Sequence, residues 1–289
     1  DQMKQVTILS GKGGTGKTSV AGSFAALADQ PILADCDVDA SNLHLILNPD
    51  VKETMAFKGL NLAEIDPEKC TKCGLCERLC RFNAIHDYEV DPIHCEGCKV
   101  CVVNCPVEAI NFNERVCGHA YLSETKYGPM SHARLIPGME NSGKLVSLVR
   151  QNAVKLAEET GRDLVLVDGP PGIGCPVIAS LSNVDAAVAV IEPTLSGIHD
   201  LKRVLQLLDH FEIVPSVIIN KYDLNSDNTA SIRSFCEENE IPILGMIPFD
   251  ENVTKAMVQA EPVVVYSPDS PASLALKEAW IGFSSFLDF

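Results

Sequence analysis

The feature that most constrains the fold is a glycine-rich loop that directly follows a short apolar segment. Residues 11–18 read Gly-Lys-Gly-Gly-Thr-Gly-Lys-Thr, between a predicted buried strand at 6–10 and a predicted helix at 18–28. In such a loop the glycines let consecutive backbone N–H groups converge on phosphate oxygens at the start of a helix. The sequence therefore predicts a strand, a phosphate-binding loop and a helix in series.

The rest of the chain alternates short β-rich segments with amphipathic segments. Further strands are predicted at residues 32–35, 163–168, 186–192, 216–220, 243–248 and 262–266. Further helices are predicted at residues 144–159, 198–209, 229–238, 253–259 and 271–286. Such alternation predicts an α/β fold, namely a doubly wound and mostly parallel sheet with helices on both faces.

Two copies of one cysteine pattern interrupt this alternation. Eight of the 12 cysteines belong to the copies, which start 25 residues apart, at Cys70 and at Cys95. The pattern is that of a bacterial two-cluster ferredoxin, in which three thiolates of each cluster come from one copy and the fourth from the other. Disulfides and zinc are the alternatives, but cytosolic thiols stay reduced and zinc favours separated Cys-x-x-Cys pairs. The pattern predicts two 4Fe–4S clusters, one on Cys70, Cys73, Cys76 and Cys105 and the other on Cys95, Cys98, Cys101 and Cys80.

The cysteine-rich segment is interpreted as a small α+β, ferredoxin-like domain inserted at residues 63–114. Residues 1–62 and 115–289 would then form one discontinuous P-loop domain. A segment this short can bury little apolar surface, so the clusters would contribute its stability.

The charge balance restricts the classes of partner. The formal net charge is −16 and the sequence pI is about 4.8, which argues against nucleic acid because its binding needs a basic surface. No apolar stretch approaches the roughly 20 residues of a membrane helix, and the acidic end of the chain gives no sign of membrane binding. We expect a cytoplasmic protein.

The additional lysine of the loop, Lys12, carries a family resemblance. The form Lys-Gly-Gly-Thr-Gly-Lys-Thr resembles the deviant phosphate loop of the MinD/ParA, Mrp-type and nitrogenase iron protein ATPases, and the whole chain is similar to the subgroup with an inserted two-cluster ferredoxin domain. The resemblance implies a homodimer or closely related heterodimer in the ATP state, with Lys12 reaching the partner's nucleotide. The nucleotide contacts that it implies are Gly11, Lys12, Gly13, Gly14, Thr15, Gly16, Lys17, Thr18, Ser19, Asn220 and Pro248.

Three aspartates complete the implied catalytic site. By resemblance, Mg²⁺ is held by Thr18, Asp35 and Asp168, whereas Asp37 orients the attacking water and Lys12 and Lys17 neutralise phosphate charge. Asp39 competes with Asp35 and Asp37 for these roles. The cofactors expected are therefore ATP or ADP, Mg²⁺ and two 4Fe–4S clusters.

Two cysteines outside the repeats, Cys117 and Cys175, are hypothesised to form an additional metal or cluster site at a dimer interface. Unligated thiols are the alternative. The function placed first is ATP-gated low-potential electron transfer to a redox partner. The second is ATP-dependent metal or cluster assembly with an apo-protein acceptor. A spatial regulator of the MinD/ParA kind stands third.

Overall fold

A computed structural model describes residues 3–139 and 142–287 of the chain. The chain divides into two compact units. The P-loop unit comprises Asp1–Thr54, Ala120–Ala133 and Ser142–Phe289, and the cysteine-rich unit comprises Met55–His119 and Arg134–Asn141. The bounds of an inserted domain at 63–114 stay a prediction. Residues 1–2, 140–141 and 288–289 of the predicted discontinuous P-loop domain lie outside the described residues.

The P-loop unit is built on a sheet whose central strands are parallel. These strands are β1 (Lys4–Ser10), β2 (Ile32–Asp35), β7 (Pro129–Leu135), β8 (Leu164–Pro171), β9 (Ala186–Ile191), β10 (Val214–Asn220) and β11 (Ile243–Ile247). The order is β11-β10-β9-β1-β8-β2-β7, and every registered pair in it is parallel. The parallel pairing confirms the predicted α/β class.

Helices cover both faces of this sheet. They are α1 (Lys17–Leu27), α2 (Leu43–Leu47), α5 (Ser142–Thr160), α6 (Cys175–Ser180), α7 (Leu195–His210), α8 (Ser226–Glu238), α9 (Glu251–Val258), α10 (Val263–Tyr266) and α11 (Pro271–Phe286). Side chains alternate across β1, so Ile8 packs with Phe24 of α1 and Phe283 of α11 in one apolar core. Leu9 belongs to a second core, formed with α6, α7 and α8.

One predicted strand is wrong. Residues 262–266 were expected to be a strand because three consecutive valines favour β-structure. In the structure this segment forms α10, whose N-cap is Pro262 and which buries Val263 and Val264. Burial on the core against α1 and α11 overrides the weak β-preference of the segment.

The cysteine-rich unit contains two short helices and a two-stranded antiparallel sheet. These are α3 (Leu75–Leu79), β4 (Ile85–His86), β5 (Glu89–Val90) and α4 (Val100–Val103). Two long strands, β3 (Asp50–Ile65) and β6 (Ile110–Glu124), belong only partly to this unit. Neither α3 nor α4 buries a residue, so apolar packing contributes little here.

Candidate nucleotide site and cysteine cavities

The glycine-rich loop joins β1 to α1, as predicted. Gly14 and Gly16 have φ angles of +82° and +89°, a left-handed conformation that other residues adopt only with strain. A Cβ atom on Gly16 would lie 2.2 Å from Nδ2 of Asn220. Glycine is therefore required at position 16 both by the backbone and by the close approach of β10.

Lys17 is buried in a cluster of carboxylates at the carboxyl ends of β2 and β8. Its Nζ lies 2.8 Å from Oδ1 of Asp168 and 3.9 Å from Oδ2 of Asp37. Burial alone lowers the pKa of Lys17, but the ion pair and hydrogen bond with Asp168 outweigh it, so the pKa is raised. Lys17 thus carries the positive charge of this site.

Asp35 is fully buried beside this pair. Its carboxylate accepts hydrogen bonds from the Ser41 hydroxyl at 2.6 Å and from the Leu43 backbone N–H at 3.2 Å. Burial, and secondly the negative charge of Asp168, raises the pKa of Asp35 to about 7. The contact with Ser41 was not anticipated, because nothing in the motif marks that serine.

Asp37 is more exposed than Asp35. Burial raises the pKa of its carboxyl, with Lys17 opposing and Asp168 adding to the effect. Asp35, Asp37 and Asp168, the three aspartates expected at the site, therefore lie together around Lys17. The Asp39 side chain forms no ion pair with Lys17.

The site leaves two buried polar atoms without partners. Oδ2 of Asp168 and Oγ1 of Thr15 have no hydrogen-bond partner among the described residues. An unsatisfied buried acceptor costs about 1–3 kcal/mol, and carboxylate and hydroxyl oxygens are ligands that Mg²⁺ prefers. The residues present therefore fit a Mg²⁺-nucleotide, with Thr18 at the start of α1 beside them.

Lys12 contacts residues at the start of α7, whereas Lys17 contacts the carboxylates. Nζ of Lys12 donates to the hydroxyls of Thr194 and Ser196, each at 3.3 Å. Thr194 is also the N-cap of α7, since its hydroxyl accepts from the Gly197 N–H. The structure therefore separates the two loop lysines into a buried one and a solvent-accessible one.

The opposite side of the loop is held by β10. Nδ2 of Asn220 donates to the Thr15 carbonyl at 2.8 Å, which ties the strand end to the loop. Pro248 directly follows β11, the neighbour of β10. Asn220 and Pro248 thus lie at the same edge of the sheet as the loop. Ser19 faces α9, where its hydroxyl contacts the sulfur of Met257 at 3.8 Å.

The eight repeat cysteines line two separate cavities, four in each. One cavity is lined by Cys70, Cys73, Cys76 and Cys105, together with apolar residues. The other is lined by Cys80, Cys95, Cys98 and Cys101. Each set therefore draws three cysteines from one copy and one from the other.

The two copies have matching backbone contacts. The N–H of Ala84 donates to Sγ of Cys80 and the N–H of Ala109 to Sγ of Cys105, both at 3.3 Å. The N–H of Asp66 donates to the Ala109 carbonyl, while that of Asp91 donates to the Ala84 carbonyl. These two bonds are equivalent at an offset of 25 residues, and each joins one copy to the other. The two copies are therefore related by an internal pseudo-twofold axis.

Burial raises the pKa of Cys76, and it raises the pKa of Cys101 to about 11. Thiols with raised pKa values need a bound cation to be held as thiolates. In residues 3–139 and 142–287, no group of three or more His, Cys, Asp and Glu side chains is arranged to hold a single metal ion.

The two remaining candidate cysteines differ in exposure. Cys117 is fully buried in the cysteine-rich unit, whereas Cys175 is exposed at the start of α6 in the P-loop unit. The Sγ of Cys117 donates to the Arg115 carbonyl, and the hypothesis of an additional site at a dimer interface stays a prediction.

Comparison with known proteins identifies the family. The family model of the CobQ/CobB/MinD/ParA nucleotide binding domain matches residues 6–263. The chain belongs to this family. An uncharacterized protein of Methanocaldococcus jannaschii is 32% identical over 98% of this chain and 97% of its own length. P-loop nucleotide binding and ATPase activity follow from the membership.

Two further similarities concern septum site-determining proteins. MinD of Bacillus subtilis is 26% identical over 50% of this chain and 55% of its own length. The solved structure of MinD with Mg-ADP from Pyrococcus horikoshii superposes with a TM-score of 0.62 at 17% identity, covering 98% of this chain and 97% of that one. At this identity the solved structure supports the fold alone.

These similarities correct the expected function. The prediction of ATP-gated low-potential electron transfer is wrong, and neither it nor the alternative of cluster assembly is retained, because the relatives with a named role are septum site-determining MinD proteins. The physical reason is that a cysteine pattern constrains which cofactor a segment can hold. It does not determine what nucleotide turnover acts on.

No helix in the described part of the chain is long and apolar enough to cross a membrane.

Proposed function

We propose that the chain is a Mg-ATP-dependent switch ATPase of the MinD/ParA kind that dimerises in its ATP state. The observation that carries the proposal is the Lys17–Asp168 pair at 2.8 Å, set between Asp35 and Asp37, with one oxygen of Asp168 unpartnered. A buried cation surrounded by three carboxylates suits a site that exchanges these internal contacts for a nucleotide and its metal.

Each residue of the site has a proposed role that follows from its position. The loop N–H groups and Lys17 bind phosphate, while Thr18, Asp35 and Asp168 hold Mg²⁺, which neutralises phosphate charge when bound. Asp37, at the more open side of the cluster, orients the attacking water. Lys12 contacts two hydroxyls within its own chain and is proposed to reach the partner's nucleotide in the ATP dimer.

The experiment separates binding, dimerisation and hydrolysis. Light scattering of the full chain with Mg-ATP is expected to show a dimer, and phosphate release to show turnover. Lys17→Ala should abolish binding, Lys12→Ala should retain binding but lose the dimer, and Asp37→Ala should retain an ATP dimer with turnover lowered by about 10²-fold or more. A wild-type chain that stays monomeric with Mg-ATP, or an Asp37→Ala chain with unchanged turnover, contradicts the proposal.

We further propose that the cysteine-rich segment 63–114 holds two 4Fe–4S clusters, which keep it folded. The support is the division of eight cysteines into two cavities with reciprocal contacts. Each cluster thiolate binds a different iron, so the four sulfurs need not converge on one point as ligands of a single ion do. Anaerobically prepared chain should contain about eight irons and eight acid-labile sulfides. Stoichiometric zinc without sulfide contradicts it.

A further inference from the structure

A serine bridges Asp35, one of the proposed Mg²⁺ ligands, to a histidine that has no role in the site so far. Oγ of Ser41 lies 2.6 Å from Oδ2 of Asp35 and 3.3 Å from Nδ1 of His44. The N–H of Leu43, the first residue of α2, donates to the same Oδ2 at 3.2 Å. One short stretch of chain therefore supplies both the groups that bond to this carboxylate oxygen and a ring that contacts one of them.

The hydrogen of the serine hydroxyl determines the direction of both contacts. A hydroxyl has one hydrogen to donate and two lone pairs that accept. The hydrogen of Ser41 belongs to the shorter contact, because an ionised carboxylate only accepts and charge-assisted bonds are the shorter ones. Nδ1 of His44 must then carry a hydrogen and donate it to Oγ of Ser41. The result is a directed chain of hydrogen bonds from His44 through Ser41 to Asp35.

The His44 ring is packed against a second ring. It stacks on His132, with the ring centroids 6.5 Å apart and an angle of 11° between the planes. His132 stacks in turn on Tyr121 at 5.0 Å, and its Nε2 lies 2.8 Å from the Ser123 hydroxyl. His132 is also the residue of β7 that lies opposite Asp35 of β2 in the parallel register. The plane of the His44 ring is therefore set by packing, as a group that orients another group requires.

We infer that His44 is a positioning residue for Mg²⁺: it donates to Ser41, which directs the serine hydroxyl to Asp35 and orients that carboxylate for the metal. This inference rests on the proposed function, in which Asp35 holds Mg²⁺. Partners that orient a metal ligand typically account for about 10–100-fold in metal affinity. Without a donor at position 44, the Ser41 hydroxyl loses the contact that directs it.

The test measures how much Mg²⁺ tightens nucleotide binding. Calorimetry of the full chain with a non-hydrolysable ATP analogue gives one affinity in excess Mg²⁺ and one in EDTA, and their ratio is the readout. His44→Leu and His44→Asn introduce side chains of nearly equal size, but only asparagine keeps an N–H donor near the place of Nδ1. His44→Leu should lower the ratio about tenfold, whereas His44→Asn should keep it within about twofold of the wild type. The affinity in EDTA should be the same in all three proteins.

Two further variants separate positioning from a general loss of structure. Ser41→Ala should lower the ratio at least as much as His44→Leu does. Adding His44→Leu to Ser41→Ala should have no further effect, because His44 acts through the serine and the two losses are then not additive. Leu45→Ala changes the neighbouring residue of α2, which is 52% exposed, and should leave the ratio unchanged.

A spectroscopic readout tests the hydrogen-bond direction without metal or nucleotide. The ¹⁵N spectrum of the histidine-labelled chain should show a hydrogen on Nδ1 of His44, with the signal assigned by its loss in His44→Asn. A His44 ring that carries its only hydrogen on Nε2 overturns the inference, because Nδ1 would then accept from Ser41 and compete with Asp35.

The failures are distinguishable. If the wild-type chain binds no nucleotide, or if Mg²⁺ does not tighten binding, the proposed function itself fails. The positioning role is overturned, while the ATPase proposal stands, if His44→Leu leaves the ratio unchanged or if both His44 variants lower it equally. It is overturned in the same way if His44→Leu weakens binding equally with Mg²⁺ and with EDTA, or if Leu45→Ala lowers the ratio.

Discussion

The two units of the chain differ in how much apolar burial stabilises them. The P-loop unit buries two large apolar cores, one on each face of its parallel sheet. The cysteine-rich unit buries only a few apolar side chains, among them Ala84 and Ile85 with their repeat counterparts Ala109 and Ile110. Burial contributes about 25 cal/mol per Å² of apolar surface, so the first unit is stabilised by its own side chains and the second needs another contribution.

The largest expected effect tests that contribution. Cys73→Ala should lower the iron content by about four per chain, because it removes one ligand of one cluster. Amide hydrogen exchange across 55–119 should then become fast, while ATP binding by the P-loop unit is unchanged. Inductively coupled plasma analysis and exchange mass spectrometry of anaerobic protein measure both quantities.

A matched control is available in the P-loop unit. Cys236 of α8 is fully buried in the apolar core of the P-loop unit and lies in neither cavity, so Cys236→Ala should leave iron unchanged. Equal iron in the Cys73 and wild-type chains would show that the cavity holds no cluster. Retained protection of 55–119 after iron loss would show that the clusters are not what keeps the unit folded.

The second effect concerns the buried charges of the P-loop unit. Lys17→Met leaves Asp35, Asp37 and Asp168 without their cation, and breaking a buried pair in this way costs about 3–5 kcal/mol. Urea unfolding of the nucleotide-free chain should show this loss. Lys12→Met removes only hydroxyl contacts near the surface and should cost about 1 kcal/mol or less. Equal losses would mean that the carboxylates are stabilised by something other than Lys17.

The third expected effect is a dependence of the free energy of unfolding on pH. Burial raises the pKa of Asp35 to about 7, above its ordinary value of 3.8, so the native state binds this proton more tightly than the unfolded state does. The stabilisation is therefore fully present below about pH 4 and is lost as the pH rises through about 7. One pKa unit corresponds to about 1.4 kcal/mol, which puts the total at a few kcal/mol.

Asp35→Asn should flatten that dependence. Unfolding free energies of the nucleotide-free chain, measured from pH 4 to pH 8, should fall less steeply in the variant than in the wild type. Identical slopes for the two proteins would exclude Asp35 as the titrating group.

Local sequence patterns predicted most elements of the P-loop unit. They did not predict the side-chain contacts that depend on the tertiary fold. The loop at 11–18 with its flanking strand and helix follows from glycine spacing and apolar periodicity, which act over a few residues. The contacts of Lys12 with the hydroxyls of Thr194 and Ser196 depend on how distant segments fold together. The bond from Ser41 to Asp35 spans only six residues, but nothing in the motif marks that serine. The same limit explains residues 262–266, where burial against the core rather than local preference determines a helix.

The cysteine repeat was identified from spacing alone, whereas the pairing of its two copies depends on contacts between them, such as the bond from the Asp66 N–H to the Ala109 carbonyl. Most backbone turns recur 25 residues later, and the left-handed positions of Lys72, Gly74 and Asn83 recur at Gly97, Lys99 and Glu108. What spacing could not provide was the function, since the same repeat is compatible with several roles.

The smallest expected effect is a difference in stability between two glycine substitutions, one in each copy of the internal repeat. Gly74 and Gly97 both have left-handed φ angles, +71° and +61°, and their repeat counterparts are Lys99 at +67° and Lys72 at +57°. Each backbone position therefore tolerates a side chain in the other copy, at a conformational cost of about 1–2 kcal/mol. The two glycines differ in their surroundings instead.

A Cβ atom on Gly97 would lie 2.5 Å from the Asn61 carbonyl oxygen of β3, whereas one on Gly74 would meet only the flexible end of Arg78 at 3.2 Å. Gly97→Ala should therefore destabilise the cysteine-rich unit of anaerobically prepared protein by about 1–3 kcal/mol more than Gly74→Ala, as measured by thermal unfolding. Equal losses would mean that β3 yields to the added methyl group. The unit would then tolerate a shift in its protein packing, which would agree with the proposal that bound clusters contribute more to its stability than protein packing does.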